Sequence, residues 1–458
     1  MTISKLVESL TAKLSPAASV LTDPASDEFK AALERWTELD LETPGAVVLV
    51  SSEEDIVQTV KLAIEHGIPF VPKSGGHSQW STIGSEGIII DLSNYKNVIV
   101  NKSAQTVQIQ GGVVNREVIE ALYVEGLCTS LGGGNTIGTI PQGIGGGICA
   151  LTKLCGTTSD NILSARMVTA AGSIITVDDS TPDLLWALKG AGQFFGLVTE
   201  LTLRTYPLSI LGMDDGSVYT GTFIFDIPQV GEVTKLAHQF MNVKDHNSAV
   251  LAVVTLNPQL QKPCFLLMCI YFGPAIEAEK FLEPFKALSP MMAVGSMVDY
   301  TNINDSMDPF TVKGDYKCFN LAGVPRFDPA PWQGIAESFV ELTKAFPDIK
   351  MGGYGFEWTT GKQKEIELDS VWAHRDLQFW VENLSWYTDE SSGEGVQKAA
   401  EETLAKATRH CKAEEIHHYQ NFSRHDSLES RFGEEIVEKL RRLKKKWDPK
   451  GVFTKQLL

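Results

Sequence analysis

Glycine is concentrated in short loops of this 458-residue chain, and these loops restrict its possible folds more than any other feature. The densest is LGGGNTIGTIPQGIGGG at 131–147, and shorter clusters are SGGHS at 74–78 and GAGQFFG at 190–196. Glycine lets backbone N–H groups converge on an anion, because no Cβ obstructs the approach. Several such loops, spread from residue 74 to residue 196, therefore predict a long ligand that carries a diphosphate.

None of the common nucleotide-binding motifs accounts for these glycines. Gly138-TIPQ-Gly143 has the spacing of a P-loop, but Ile144 stands where the phosphate-binding lysine is required. The GAGQFFG segment is one residue too long for a Rossmann fingerprint, and a strand is predicted after it instead of a helix. The G-x-S-x-G motif of a nucleophile elbow is absent. The ligand is therefore predicted to be held by several loops, and not by one helix N-terminus.

The chain before the first of these loops has the pattern of a strand, a helix and a second strand. AVVLV at 46–50 predicts a short buried strand, and Ser52 is placed to cap the following helix, which Gly67 ends. IPFV at 68–71 then starts a strand that leads into SGGHS. This order predicts α/β packing at the start of the chain.

The character of the sequence changes near Pro207. Up to residue 207 the chain alternates short strands with glycine-rich loops, whereas longer apolar strands and longer polar helices follow over 208–410. The last stretch, 411–458, contains an amphipathic helix that ends in a WDP sequence. We therefore predict one domain from 1–207, to which 411–458 returns, and a second domain over 208–410.

Composition narrows the possible partners and compartments. The net charge of −17 argues against a nucleic-acid partner, because phosphates repel such a field. No apolar run reaches the roughly 20 residues of a membrane span, and no secretory signal precedes the first helix, so a cytoplasmic location is expected. The seven scattered cysteines favour a reducing compartment over a disulfide framework. No metal site is expected, since the spacing of His410, Cys411, His417 and His418 fits no common zinc pattern.

Four segments carry a resemblance that covers nearly the whole chain. SGGHS is similar to an R-S-G-G-H-S loop, and residues 134–147 with 156–172 are similar to a long second loop and its strand. Residues 184–207 resemble a W-x-x-x-G-G-G/A-G-x-x-G-I-V-T segment, and residues 419–453 contain Y-x-N and K-x-D-P-x-x-x-F. In this order and spacing they resemble the flavin oxidoreductases with a vanillyl-alcohol-oxidase (PCMH) type of FAD-binding domain. The narrower resemblance is to the fungal form of the berberine-bridge-enzyme-like branch.

The resemblance implies an α+β fold with an FAD-binding domain of two subdomains. The second domain would bind the substrate on an antiparallel sheet covered by helices. The implied activity is hydride transfer from an alcohol or amine carbon of a small secondary-metabolism intermediate to flavin N5, with O2 as electron acceptor. Two alternatives stay open, namely a flavin-containing isomerase or cyclase without net redox change, and a non-catalytic flavin-binding protein.

In the family the histidine of the first loop carries the flavin covalently, which implies the same for His77. Imidazole substitution at the 8α-methyl position prevents loss of the cofactor and raises its reduction potential. Many members add a second bond through a cysteine of the second loop, but Gly134 occupies that position here. We therefore expect one covalent bond to FAD, through His77 only.

Other positions are expected to contact the cofactor, because they match loops of the family that approach it. They are Lys73, Ser74, Gly75, Gly76, Ser78, Ile137, Gly138, Gly143, Gly145, Gly146, Asp160, Val198, Tyr419 and Asn421. Lys73 stands where the family often has Arg, so positive charge is kept without the bidentate fork. Ile137 occupies a site that is often Val in oxidases and bulkier in dehydrogenases, which weakens the assignment as an oxidase.

Three residues are candidates for acid–base catalysis. Glu357, in GGYGFEW, lies near the position of a glutamate in the plant members, and its neighbours Phe356 and Trp358 are expected to raise its pKa toward neutrality. Tyr354 is the rival base, and strand alternation places it on the face opposite Glu357, so only one of them can face the flavin. Tyr419, of the Y-x-N pair, is the third candidate, because in the family this pair reaches the flavin ring.

Overall fold

The computed structural model describes residues 2–241, 247–257, 259–360, 369–372, 374, 377, 379–422 and 426–458. In these parts of the chain the helices are α1 (Ile3–Thr11), α2 (Asp27–Leu33), α3 (Glu53–His66), α4 (Asn115–Val124), α5 (Thr139–Ile144), α6 (Thr152–Cys155), α7 (Pro182–Ala191), α8 (Val230–Met241), α9 (Ala275–Ala287), α10 (Trp332–Ala345), α11 (Gly393–Thr408), α12 (Leu428–Phe432) and α13 (Glu434–Trp447).

The first sheet consists of β1 (Ser19–Leu21), β2 (Ala46–Leu49), β3 (Phe70–Lys73) and β4 (Ile88–Asp91), in the order β1-β2-β4-β3. Strands β2, β4 and β3 are parallel, and β1 is antiparallel to β2. The predicted strand–helix–strand start is confirmed. The Asp55 N–H donates to the Ser52 hydroxyl at 3.1 Å to cap α3, and Gly67 ends the helix with a φ of 67°. Strand β3 then delivers the chain into the first glycine-rich loop.

The second sheet follows directly. The next strands are β5 (Val98–Asn101), β6 (Thr106–Gln110), β7 (Leu127–Cys128), β8 (Ile162–Val168), β9 (Ile174–Val177), β10 (Leu197–Arg204) and β11 (Tyr206–Pro207). Five of them form an antiparallel sheet in the order β5-β6-β10-β8-β9, and β7 pairs with β11. Apolar side chains of α4, α7 and α13 join this sheet in one hydrophobic core.

A larger antiparallel sheet forms the second domain. In the described residues its strands are β12 (Ser217–Phe225), β13 (Ser248–Leu256), β14 (Pro263–Tyr271), β15 (Met292–Asp299), β16 (Tyr316–Val324), β17 (Gly353–Thr360), β18 (Phe379–Tyr387) and β19 (His417–His418). Their order is β15-β12-β14-β13-β17-β18-β16-β19. Helices α8 to α11 pack against one face through a second core. The opposite face is turned toward the first domain, where α6 comes close to β17. The predicted antiparallel sheet covered by helices is confirmed.

The predicted domain boundaries can be placed on these sheets. Residue 207 ends β11, and the large sheet begins shortly afterwards at Ser217. The return is later than the predicted residue 411, because β19 still pairs with β16 through Ala322 and His418. After β19 the chain crosses to the first domain, where Val437 and Leu440 of α13 are buried in its core.

Three further properties concern membrane-spanning helices, cysteines and metal ligands. Within the described ranges, no helix combines the length and the apolar character of a transmembrane segment. The seven cysteines are free thiols, and six of them are buried. No group of His, Cys, Asp and Glu side chains in the described part of the chain is arranged to hold a metal ion.

Candidate active site

A cavity of about 1480 Å³ lies between the glycine-rich loops of the first domain and the face of the large sheet opposite helices α8 to α11. The loops contribute side chains and backbone from the stretches 74–82, 132–144, 148–157, 193–198 and 419–422. The sheet contributes residues of β12, β13, β14, β16, β17 and β18. Pockets for drug-sized ligands enclose roughly 300–1,000 Å³. This cavity therefore has room for an extended ligand and for a second molecule beside it.

His77 lies in the wall of this cavity, in the loop that follows β3. Gly76 turns the chain with a φ of 73°, a conformation that favours glycine. The Trp36 N–H donates to the Gly76 carbonyl at 2.9 Å, and the Trp36 indole stacks on the imidazole with ring centroids 6.4 Å apart. The imidazole Nε2 is 2.8 Å from the Thr136 hydroxyl oxygen. Within the described residues Nδ1 makes no hydrogen bond, so this nitrogen is left for a ligand.

The surroundings of His77 keep its imidazole neutral. Burial lowers the pKa of His77 to about 4, and the positive charges of Lys313 and Lys317 contribute to the decrease. Lys317 is itself buried and donates to the Trp36 carbonyl at 2.9 Å, which ties β16 to the residue that stacks on His77. A neutral imidazole retains a nitrogen lone pair, which covalent attachment to a cofactor requires.

The first and second glycine-rich loops form a cradle that fits FAD. A Cβ on Gly75 would stand 2.4 Å from the Thr136 carbonyl oxygen, and a Cβ on Gly138 would stand 2.5 Å from the Ser74 Oγ. The loops can therefore approach this closely only because both positions are glycine. The Ser74 hydroxyl is buried and has no hydrogen-bond partner among the described residues. FAD fits this cradle, since its diphosphate supplies the acceptor that a buried hydroxyl needs.

Most of the residues that the sequence assigned to the cofactor lie in the cavity wall. They are Ser74, Gly75, Gly76, His77, Ser78, Gly134, Ile137, Gly138, Asp160, Val198, Tyr419 and Asn421. Two of these residues restrict each other. A Cβ added to Gly134 would stand 2.7 Å from the Ile137 Cδ1, which is closer than such atoms normally approach. A cysteine at position 134 would require Ile137 to move, so the two features of this loop are sterically linked.

Lys73 does not line the cavity, which corrects its prediction as a cofactor contact. Its ammonium pairs with Asp91 at 3.1 Å and donates to the Ala32 carbonyl at 2.7 Å. Lys73 on β3 and Asp91 on β4 are register partners of two parallel strands, and both side chains are buried. The positive charge expected on the diphosphate is therefore neutralised inside the first domain.

The same correction applies to three glycines of the second loop, Gly143, Gly145 and Gly146. A Cβ on Gly145 would stand 1.8 Å from the Asn421 Oδ1, and a Cβ on Gly146 would stand 2.7 Å from the Trp372 ring. A Cβ on Gly143 would meet a methyl group of Thr158 at 3.0 Å. These glycines make room for residues of the protein and do not themselves line the cavity.

Tyr419 is the point at which the C-terminal segment meets the second glycine-rich loop. Its hydroxyl oxygen accepts hydrogen bonds from the Gly147 N–H at 2.7 Å, the Asn421 amide at 2.8 Å and the Ile148 N–H at 3.3 Å. Burial raises the pKa of Tyr419 to about 12, although these three donors act in the opposite direction. The hydroxyl is therefore protonated at neutral pH, and its lone pairs are occupied. Its proton is left for a ligand in the cavity.

Glu357 lies on the cavity face of β17. Its register partners are Leu251 on β13 and Trp380 on β18, which both line the cavity as well. Burial raises the pKa of Glu357 to about 7, as expected from the sequence. Of the two expected neighbours, Phe356 belongs to the core on the helix side of the sheet, whereas Trp358 belongs to that core and also borders the cavity. Alternation along β17 sends adjacent side chains to opposite faces.

Tyr354 lies on the opposite face of the sheet from the cavity, so its prediction as a catalytic base is wrong. Its ring packs edge-to-face against Phe339 of α10, with centroids 5.7 Å apart. Burial raises the pKa of Tyr354 to about 12. Three positions separate Tyr354 from Glu357, and in a strand an odd separation places two side chains on opposite faces.

A second carboxyl group in the cavity, that of Glu382, was missed by sequence reasoning. In the register of β17 and β18, Glu382 is opposite Gly355, and Trp380 is opposite Glu357. A Cβ on Gly355 would stand 3.0 Å from the Glu382 Oε1, so this glycine leaves space for the carboxyl group. Burial and the negative charge of Glu357 hold the pKa of Glu382 well above its usual range. The available signal was an acidic residue inside the otherwise uncharged strand FWVENLSWY.

Comparison with known proteins agrees with this geometry. Residues 44–178 match the family described as FAD binding domain. The FAD-linked oxidoreductase hasG of Aspergillus fumigatus is 29% identical over 457 residues, and the match covers 95% of both chains. By these similarities the chain is an FAD-linked oxidoreductase. The oxidoreductase is therefore an enzyme that carries an FAD-binding domain in its first half.

Solved structures show the fold of this FAD-linked oxidoreductase. BBE-like 1 of Physcomitrella patens superposes with a TM-score of 0.81 at 20% identity, covering 98% of this chain and 97% of its own. Glucooligosaccharide oxidase of Acremonium strictum, which has a 6-S-cysteinyl, 8α-N1-histidyl FAD, superposes with a TM-score of 0.77 at 20% identity over 98% of both chains. The expected α+β fold of the berberine-bridge-enzyme-like proteins is confirmed for the oxidoreductase.

Proposed function

We propose that this oxidoreductase oxidises an alcohol or amine carbon of a small, largely apolar molecule. Bound FAD would supply the acceptor for a hydride from that carbon, and O2 would be the final electron acceptor. The observation that carries the proposal is the position of Glu357, a carboxyl group with a pKa of about 7 in the wall of the cavity that His77 also lines. The other residues of the cavity are assigned around this carboxyl group.

Glu357 is proposed to remove the proton of the substrate's hydroxyl or amine group. A hydride leaves more readily from a carbon whose neighbouring oxygen or nitrogen has lost its proton, so a base at this place assists the reaction. A catalytic base works best when its pKa lies near the working pH, which a pKa of about 7 satisfies. Positioned general bases contribute roughly 10²–10⁴-fold to a rate.

Tyr419 is proposed to orient the same substrate group. Its hydroxyl oxygen is occupied by donors from Gly147, Ile148 and Asn421, so it can offer only its proton to a ligand. A donor fixed by three hydrogen bonds costs little reorganisation when the substrate binds. Tyr419 would therefore hold the substrate oxygen or nitrogen while Glu357 accepts the proton.

The composition of the sheet face favours an apolar substrate over a sugar. Most residues that the sheet contributes to the cavity wall are apolar, among them Leu251, Val253, Met268, Ile270, Leu321, Trp380 and Leu384, whereas Thr220, Thr222, Thr359 and Glu382 are polar. An oligosaccharide carries many hydroxyl groups, and each one that is buried without a partner is costly. The face therefore fits an aromatic or polyketide-like molecule with few polar groups. The oligosaccharide oxidases among the structural neighbours share the fold, which does not determine the substrate.

The cofactor is proposed to be bound covalently through His77 alone. The neutral imidazole, with its Nδ1 free of hydrogen bonds in the described residues, supports attachment at this position. Glucooligosaccharide oxidase has both a histidyl and a cysteinyl attachment. The second is not available here, because position 134 is glycine.

The proposal is tested by anaerobic mixing of the FAD-loaded enzyme with three groups of compounds, while the absorbance of oxidised flavin is followed. The groups are hydroxylated aromatic alcohols, cyclic amines and oligosaccharides. We expect bleaching by a member of the first two groups and none by the third, and the E357Q variant should keep its FAD but bleach slowly. Bleaching by oligosaccharides would overturn the substrate class. Conversion of a compound without bleaching would show an isomerase or cyclase instead.

A further inference from the structure

We propose that Glu357 and Glu382 act as one carboxyl pair that carries a single negative charge in the resting enzyme. Glu382 is the member that stays protonated, and Glu357 is the member that accepts the substrate's proton. This inference rests on the role proposed above for Glu357 and adds a second residue to it. Its consequence is a specificity for substrates that present a neutral or cationic donor, and a rejection of anions.

The register of the sheet brings the two carboxyl groups together. Glu357 on β17 is opposite Trp380, and Glu382 on β18 is opposite Gly355, so the two glutamates are diagonal neighbours on one face. Diagonal neighbours in an antiparallel pair lie roughly 7–8 Å apart, with their Cβ atoms somewhat closer, and long side chains can span this distance. Gly355 places no side chain between the two glutamates. A Cβ added to Gly355 would stand 3.0 Å from the Glu382 Oε1.

Among the described residues, those directly opposite the pair in the sheet carry no charge. Glu357 is flanked by Leu251 and Trp380, and Glu382 is flanked by Gly355 and Leu321. Strands β13, β17 and β18 carry no lysine, arginine or histidine in their described lengths. Two carboxylates in such a place cannot both be ionised without repulsion in a medium of low polarity. One shared negative charge is the state that avoids this cost.

The other titratable groups of the cavity leave this conclusion unchanged. They come from the loops, from α6 and from β14, and are Asp40, Glu42, His77, Cys149, Lys153, Asp160, Cys269, Asp305, His374 and Tyr419. Burial lowers the pKa of His77 and of His374 to about 4, so both are neutral near pH 7. Lys153 is the lysine that the described residues contribute to this wall, on α6 near β17, and burial nevertheless raises the pKa of Glu357.

The directions of the two pKa shifts agree with a pair that holds one proton. Burial raises the pKa of both glutamates, and the negative charge of Glu357 adds to the increase for Glu382. In the proposed resting state the proton is assigned to Glu382, and Glu357 is the carboxylate. When the substrate's O–H or N–H bond breaks, its proton bonds to a Glu357 oxygen, and the pair becomes neutral. An anionic substrate would instead meet the negative charge of the pair in an apolar wall.

The pair is tested without any substrate, by infrared titration of protonated carboxyl groups in the FAD-loaded enzyme. Wild type, E357Q, E382Q and the surface control E337Q are compared, and the difference spectra isolate each glutamate. We expect a Glu357 step near pH 7 that persists in E382Q, and a Glu382 step at higher pH. In E357Q the Glu382 step should move to lower pH by at least one unit, while E337Q should leave both steps in place.

An unchanged Glu382 step in E357Q would overturn the pair, because the two carboxyl groups would then titrate independently. If E357Q folds poorly, E382Q supplies the second measurement, and loss of the step near pH 7 in that variant would also overturn the proposal. The test is separate from the proposed oxidation, since no substrate is present. Failure of every compound to bleach the flavin would refute that oxidation and leave the infrared result to stand on its own.

Discussion

The Nε2 atom of His77 lies 2.8 Å from the hydroxyl oxygen of Thr136, and this contact joins the first and second glycine-rich loops across the cavity wall. Together with the stacked indole of Trp36, it fixes the plane of the imidazole. The orientation leaves Nδ1 for the cavity. Thr136 is therefore a positioning residue for the nitrogen that would carry FAD.

Replacing Thr136 by valine should slow the covalent attachment of FAD. A hydrogen bond between neutral groups contributes about 1 kcal/mol, which corresponds to roughly a fivefold slower attachment in T136V. The covalent fraction is measured after acid precipitation, by flavin fluorescence of the denatured protein and by intact mass. T136S keeps the hydroxyl and should behave like wild type, and H77A should retain no flavin. Equal attachment in T136V and wild type would show that the contact does not position His77.

Flavin reduction should become faster as the pH rises through about 7. Glu357 is a base only when ionised, and its raised pKa means that it loses its proton in this range instead of near its usual value of 4.5. In E357Q the rate should fall by roughly 10²–10⁴-fold and lose this dependence on pH. The rate is measured by anaerobic stopped-flow with a compound that bleaches wild type. A variant that keeps the same pH profile would mean that another group is the base.

Tyr354 should be dispensable for the reaction. Its ring packs on α10 at the far side of the sheet, so Y354F should reduce the flavin at the wild-type rate. Loss of its buried hydroxyl is expected to lower the free energy of unfolding by about 1 kcal/mol. Denaturant titration measures the stability, and stopped-flow measures the rate. A large loss of rate at unchanged stability would contradict the assignment of Tyr354 to the core.

A second covalent bond to FAD should require two substitutions. In G134C the new Cβ would stand 2.7 Å from the Ile137 Cδ1, so the cysteine is crowded and little double attachment is expected. The variant G134C/I137V removes the δ-methyl group and should allow the second bond to form. Peptide mapping after proteolysis shows whether the flavin is linked to one or two peptides. Efficient double attachment in G134C alone would rule out the steric role of Ile137.

The parts of the site that depend on short stretches of sequence were predictable. The cap and end of α3, the loop that carries His77 and the raised pKa of Glu357 follow from residues close together in the chain. Alternation along β17 also implied that Tyr354 and Glu357 cannot share a face. Which of the two faces the cavity depends on the face of the sheet that the helices cover, and no local sequence pattern shows this.

The parts that depend on distant pairing were not predictable. Asp91 neutralises the charge of Lys73, and Asn421 occupies the space where a side chain of Gly145 would lie. In both cases the role depends on a residue that is distant in the sequence, so the local sequence does not predict it. Glu382 reaches the cavity beside Glu357 only because β17 and β18 pair in one particular register. A shift of that register by one residue would turn the carboxyl group to the helix side.

The hydroxyl of Tyr419 accepts hydrogen bonds from the N–H groups of Gly147 and Ile148. These two residues are synthesised earlier than Tyr419 by more than half the length of the chain. The amide of Asn421 likewise donates to the Gln142 carbonyl at 2.9 Å. The second glycine-rich loop can therefore form its hydrogen bonds with Tyr419 and Asn421 only after residue 421 has been synthesised. We therefore expect a polypeptide that stops before this residue to bind FAD poorly.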